Sequence, residues 1–171
     1  MSSEVLIDGD QSHIRWIEIA LGYLPEETLR TEGANLAIIG IGSIGGCRLP
    51  QQYRQREIVL LSDWIFPPAG NSEGDKAGQF FIITLLHEIA HAVFRHKSPL
   101  LDKLTPEELQ AQEDEADSMA IGWFNSHVEH RDNKYLKAIS TEEFRKIVDW
   151  YKDLYDEIEK FKVNWHRAGG T

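Results

Sequence analysis

The spacing of apolar residues changes character several times along the chain. After Asp10, the residues Ile14, Ile17, Ala20, Leu21 and Leu24 recur at intervals of three and four. That is the spacing of one helix face, and Asp10 is suited to cap it. Pro25 to Arg30 reads as a short helical turn. Leu36 to Ile41 is an apolar run that ends in glycines, and Glu57 to Ser62 (EIVLLS) is a second run between polar residues. Both read as strands. A glycine-rich turn, Gly42 to Gly46, follows the first, and Pro67, Pro68, Gly70, Asn71 and Gly74 mark a loop after the second.

The stretch from Gly78 to His96 is apolar almost all round, through Phe80, Phe81, Ile82, Ile83, Leu85, Leu86, Ile89, Val93 and Phe94. A helix without a polar face is a buried one, so its few polar residues need an explanation. Thr105-Pro106-Glu107-Glu108 is a helix start with a capping box, and the helix after it is predicted to run to about Asn125. Ser140-Thr141-Glu142-Glu143 is a second box. It opens an amphipathic helix over 141–166 with a stripe of Phe144, Ile147, Tyr151, Leu154, Ile158, Phe161 and Trp165. Such a stripe serves as a wall of the core or as a docking face. No internal repeat or low-complexity tract interrupts the pattern.

A chain of 171 residues is expected to form a single domain with one core. Lys plus Arg is 18 against 28 Asp plus Glu, a net charge of −10, which argues against nucleic acid or an anionic membrane as partner. With one cysteine, Cys47, no intrachain disulfide is possible. The acidic start (Glu4, Asp8, Asp10) carries no basic segment or apolar stretch of a secretory leader, and no run is long enough to span a bilayer. The expected location is the cytoplasm.

His87-Glu88-Ile89-Ala90-His91 is an H-E-x-x-H motif inside the apolar helix. Residues four apart share a helix face, so both imidazoles can converge on one Zn²⁺. Glu88 can reach a metal-bound water and accept its proton. Two histidines and a glutamate in a buried helix also need partners of some kind. On the next helix the apolar positions Leu109, Ala116, Ala120 and Phe124 form a stripe that includes Glu113 and Asp117 but excludes Asp114 and Glu115. Core-facing acids are rare unless paired or metal-bound. Glu113 would complete a His₂Glu zinc set with a position left for water. Asp117, one turn on, could accept a hydrogen bond from a ligand histidine.

H-E-x-x-H followed by E-x-x-x-D on a second helix resembles the gluzincin metallopeptidases, the thermolysin-like group. The closer resemblance is to the ImmA/IrrE-type family, through IVLL (58–61), TLLHEIAHAVFRH (84–96) and EDEADSMA (113–120). It implies an α+β fold of minimal gluzincin-like architecture, a small strand region packed on the H-E-x-x-H helix and further helices, with 1–171 as one metallopeptidase-like domain. It implies Zn²⁺ on His87, His91 and Glu113, with Glu88 as base and Asp117 behind the ligands. The expected activity is endopeptidase cleavage of a restricted protein or peptide substrate, with a possible regulatory protein partner. Oxyanion donors are sought among His127, His130 and Tyr135, with Tyr53 upstream. The strand at Glu57 to Leu61 is expected beside the cleft, where an extended substrate could add to it.

Other readings fit parts of the chain. Gly40-Ile41-Gly42-Ser43-Ile44-Gly45 fits G-x-G-x-x-G, but no helical run follows it, as a dinucleotide site requires. Cys47 with the His pair suggests a peptide deformylase-like hydrolase, but that leaves the Glu113–Asp117 helix unexplained. Arg48, Arg54 and Arg56 form a basic spot that fits a solvated strand edge or a clamp for an acidic segment. A non-catalytic, regulatory metal-binding domain is the alternative of a different class.

Overall fold

A computed structural model describes residues 5–41, 47–49, 56–99, 102–131 and 136–167, with side chains for all but 41, 47–49 and 158–167. In chain order these are β1 (Leu6–Asp8), α1 (Gln11–Leu21), α2 (Glu26–Glu32), β2 (Leu36–Ile41), β3 (Cys47–Leu49), β4 (Glu57–Ser62), α3 (Lys76–Val93), α4 (Pro106–His130) and α5 (Thr141–Arg167). The fold is α+β, as the pattern predicts. One four-stranded sheet has the order β1-β2-β4-β3. The first three strands run parallel, and β3 is antiparallel to β4.

The strand at Glu57–Ser62 is therefore interior, which corrects its expected role. β2 covers one side along its whole length, from Leu36↔Glu57 to Ile41↔Ser62. β3 takes part of the other, from Cys47↔Leu60 to Leu49↔Ile58. Paired on both sides at residues 58–60, β4 is an interior strand and not the edge to which a substrate would add. β1 and β3 were not predicted. Each is three residues long, too short to display a strand period.

Three helix starts follow their caps. The Asp10 carboxylate accepts from the Ser12 and His13 amides, each at 2.9 Å. Thr105 and Glu108 bond reciprocally at 3.1 and 2.9 Å, as do Ser140 and Glu143 at 3.2 and 2.7 Å. α4 passes Asn125 because that side chain is used sideways. Its amide donates to the Ile139 carbonyl at 2.8 Å and its oxygen accepts from the Ile139 amide at 2.9 Å, which fixes the approach to α5. On α5, Phe144, Ile147 and Tyr151 are buried, while Leu154 and Trp150 are each 38% exposed. The stripe thus leaves the core near Leu154, and the side chains of Ile158, Phe161 and Trp165 lie outside the described residues.

The core is organised on α3. Phe81, Ile82, Ile83, Leu85, Leu86 and Ile89 are wholly buried. Each contributes about 1.5–3 kcal/mol relative to exposure. Since residues 81 to 83 step 100° apart, cover is required on more than one side. It comes from α1, α4, α5, β3 and β4. Phe66 and Trp16 pack on Phe81, and Tyr151 of α5 stacks on Phe80 at 4.0 Å between centroids. α3 begins at Lys76 and ends at Val93, two and three residues before the expected bounds, and its N-cap Asp75 uses its carboxylate on the Ser72 amide and not on the helix. Among the described residues, no helix is long and apolar enough to cross a membrane.

The entry of α3 is also a tight contact. A Cβ on Gly78 would fall inside contact distance of the Ser72 carbonyl oxygen, whereas a Cβ on Gly122 of α4 would meet nothing within 4 Å. Gly78→Ala should therefore destabilise the fold by roughly 1–3 kcal/mol through overpacking. Gly122→Ala should stabilise it by about 0.5–1 kcal/mol through helix propensity. Urea unfolding of the two variants checks both signs.

Candidate functional site

In the C-terminal half of α3, after Thr84, three polar side chains interrupt the apolar surface: His87, Glu88 and His91. His87 and His91, one turn apart, face α4, and their Nε2 atoms lie 2.9 Å from each other. The Glu113 carboxylate of α4 stands opposite, with Oε2 3.3 Å from His87 Nε2 and Oε1 3.5 Å from His91 Nε2. One donor atom from each of the three lies within 4.8 Å of the others. A tetrahedral ion bound at about 2.0–2.1 Å has donors roughly 3.3 Å apart, so this spacing fits one small cation.

The charge distribution fits as well. Asp117, one turn after Glu113, places Oδ1 2.9 Å from His87 Nδ1. An ionised carboxylate only accepts, so the ring carries a proton on Nδ1 and presents Nε2 toward His91. The 2.9 Å between the two Nε2 atoms suits either an N–H of one ring donating to the other or a small cation held by both. Burial disfavours charge on His87, but its bonds to Asp117 and Glu113 and the nearby Glu88 charge prevail, and the pKa is pushed up to about 10. The His87 hydrogen bond in turn holds the Glu113 carboxyl below its ordinary value, against the effect of partial burial.

Beyond the helix the chain turns back on this site. Arg95 has φ 58°, in the left-handed region. The His96 amide donates to the His91 carbonyl at 3.0 Å and the Arg95 amide to the Ala92 carbonyl at 3.2 Å. This is a Schellman termination with arginine where glycine is usual. Arg95 is held there by Glu32, 2.9 Å away, and by buried Glu57, 3.8 Å away. The turn sets His96 Nδ1 2.8 Å from His91 Nδ1, and His96 Nε2 reaches Glu115 Oε2 at 3.0 Å. Sequence reasoning passed over His96 and Glu115 as site residues. The third histidine was visible in the motif, but no glycine announced the turn that brings it back.

Glu88 lines a cleft of about 370 Å³ together with His87, Glu113 and Asp117. Phe80 and Thr84 continue the α3 wall, and Phe144 and Val148 of α5 close the far side. Arg145 and Lys152 stand on the α5 wall, and Arg145 is 3.5 Å from Asp114. A larger hollow, about 1060 Å³, lies between α1 and residues 67–73 and contains none of these groups.

Other sequence candidates are elsewhere. His127 and His130 follow Glu113 on α4 by fourteen and seventeen residues, roughly 21 and 25 Å along the axis. His127 stacks on Tyr23 at 3.9 Å, and His130 Nδ1 donates to the Ser126 carbonyl at 2.6 Å. Neither is brought to the cleft, which corrects their expected role as oxyanion donors. Tyr135 and Tyr53 lie outside the described residues, as do Arg54 and the side chains of Cys47 and Arg48. Arg56 donates to the Leu36 carbonyl at 3.1 Å, so it serves the sheet. Gly42 to Gly45 lie outside the described residues, and the next described element is strand β3, not the helix of a dinucleotide site.

Residues 80–148 match the model of the family described as Peptidase U49. No curated protein and no solved structure matches the chain. The matched segment contains His87, Glu88, His91, Glu113 and Asp117 together with the α5 wall of the cleft at Phe144 and Val148, and it supports a peptidase.

Proposed function

We propose that the chain is a zinc-dependent endopeptidase of gluzincin type, most similar to the ImmA/IrrE-type family, acting on a restricted cytoplasmic protein substrate. The observation that carries this is the convergence of His87 Nε2, His91 Nε2 and the Glu113 carboxylate beside Glu88, within a segment matched by a peptidase family. Two imidazoles and one carboxylate form the donor set of catalytic zinc and leave a position open.

When bound, such an ion supplies an acidified water and polarises the scissile carbonyl. Glu88 takes up the water proton and delivers it to the leaving amine. Glu113 and Asp117 supply the negative charge that offsets the cation, and Asp117 keeps the His87 ring oriented. Tyr135 and Tyr53 are the proposed oxyanion donors. Phe80, Phe144 and Val148 suit an apolar substrate side chain next to the reacting bond. The outer edge of β3, unpaired among the described residues, replaces β4 as the strand to which an extended substrate would add. A single cysteine in the chain suits a reducing compartment.

Elemental analysis of the purified protein should find one zinc per chain. Glu113→Ala should abolish its retention, while Cys47→Ala should leave it intact. The reverse pair of results would move the chain to the deformylase-like reading.

Glu88→Gln should keep the zinc and lose peptide cleavage by roughly 10²- to 10⁴-fold, the usual contribution of a positioned general base. Cleavage at the wild-type rate in that variant would rule out Glu88 as the base and with it this peptidase mechanism. Cleavage absent from both proteins, with zinc bound, would favour a regulatory metal-binding domain.

A further inference from the structure

We infer that His96 and Glu115 are positioning residues for His91, holding its ring so that the Nε2 lone pair faces the proposed metal position. This rests on the zinc reading of the site, and it gives a role to two residues outside H-E-x-x-H and the proposed ligand set. The assignment follows from which atoms can donate. Ionised Glu115 can only accept, so His96 carries its proton on Nε2, 3.0 Å from the Glu115 oxygen. His96 Nδ1 is then an acceptor. His91 Nδ1, 2.8 Å away, donates to it. That leaves the lone pair of His91 on Nε2, the atom beside His87 Nε2 and Glu113.

The two ligand histidines are thus oriented in different ways. His87 is held directly by a carboxylate. His91 is held through a second imidazole, with its carboxylate one step further out. The reason is reach. His96 is 8% exposed and lies between His91 and the surface, whereas the Glu115 side chain is 56% exposed. A neutral imidazole can be buried against His91 without adding a charge there, and the charged end of the relay stays in water.

The backbone around His96 is built to the same end. A non-glycine residue adopts the left-handed region rarely and at a cost. Arg95 accepts that conformation under restraint from Glu32 and Glu57. Only this reversal returns the residue after it to the last turn of α3, where the His96 amide also bonds the His91 carbonyl. His96 is therefore fixed to His91 through both main chain and ring.

The test measures zinc affinity by competition with a chromophoric chelator, alongside ¹⁵N shifts of labelled histidines. His96→Leu should weaken zinc binding roughly 10- to 100-fold, as loss of a group that orients a ligand usually does. His96→Asn should restore most of it, since its side-chain oxygen occupies the place of Nδ1 and still accepts from His91. Glu115→Ala, a surface change that leaves the core intact, should weaken binding by several-fold to about 10-fold. In the zinc-loaded wild type, His96 should show the tautomer protonated on Nε2. Wild-type affinity in both His96→Leu and Glu115→Ala, or a His96 protonated on Nδ1, would overturn the relay. If His96→Leu does not fold, Glu115→Ala and the tautomer decide. A wild-type protein that takes up no zinc would overturn the metal reading itself, a result distinct from these.

Discussion

The structure depends on burying one helix on nearly every side. α3 has no polar face to turn to water, so it is stable only when the sheet, α1, α4 and α5 surround it. That enclosure decides where the chemistry sits. His87, Glu88 and His91 cannot be solvated as surface residues would be, and unpaired polar groups at such depth are costly. The covering helix α4 answers with carboxylates at Glu113 and Asp117, which fall on its core-facing side. The candidate metal centre is thus the place where two packing surfaces meet with complementary charge.

The acidic segment of α4 is used almost residue by residue. Glu113 faces both ligand histidines, Asp117 holds His87, Glu115 holds His96, and Asp114 lies 3.5 Å from Arg145 of α5. A negative run on a helix is usually solvated and weakly informative. Here each carboxylate has a cationic or donor group opposite it, and three of those groups are histidines contributed by α3 and its C-terminal turn. The family match begins in the second turn of α3 and ends in the first turns of α5, the stretch that contains all of these pairs.

Much of this was legible before the structure because it is local. Capping boxes at Thr105 and Ser140, the cap at Asp10, the two longer strands and the apolar ring of α3 are signals within a few residues of the elements they define. The convergence of the site side chains was legible because periodicity is geometry: the spacing of four in the motif and the stripe of α4 place His87, His91, Glu113 and Asp117 on facing sides. What stayed hidden depends on tertiary context. β1 and β3 exist because neighbouring strands pair with them, and three residues carry no period of their own. β4 looked like an edge because sequence does not tell which strand inserts between which. Arg95 reverses the chain with no glycine, since ion pairs from α2 and β4 supply what conformational freedom normally does. His127 and His130 looked available because they follow the ligand helix in sequence, but the helix is straight and long, and it carries them away from the cleft.

The division of labour between α4 and α5 has a consequence for specificity. The proposed ligands and their orienting groups come from α3, its terminal turn and α4. α5 contributes the opposite wall of the cleft, docked through Tyr151 on Phe80 and through the Tyr151 hydroxyl, which donates to the Trp64 carbonyl at 3.0 Å. Lys76, at the start of α3, lies over the Trp150 ring of α5, 5.4 Å from its centroid. These contacts anchor α5 at the N-terminal half of α3, away from His91. Substitutions at Val148 or Lys152 would therefore reshape the space offered to a substrate without touching a metal ligand. In the endopeptidase reading, chemistry and selection are carried by different helices. The first is constrained by coordination geometry and the second by its contacts with α3, α4 and Trp64.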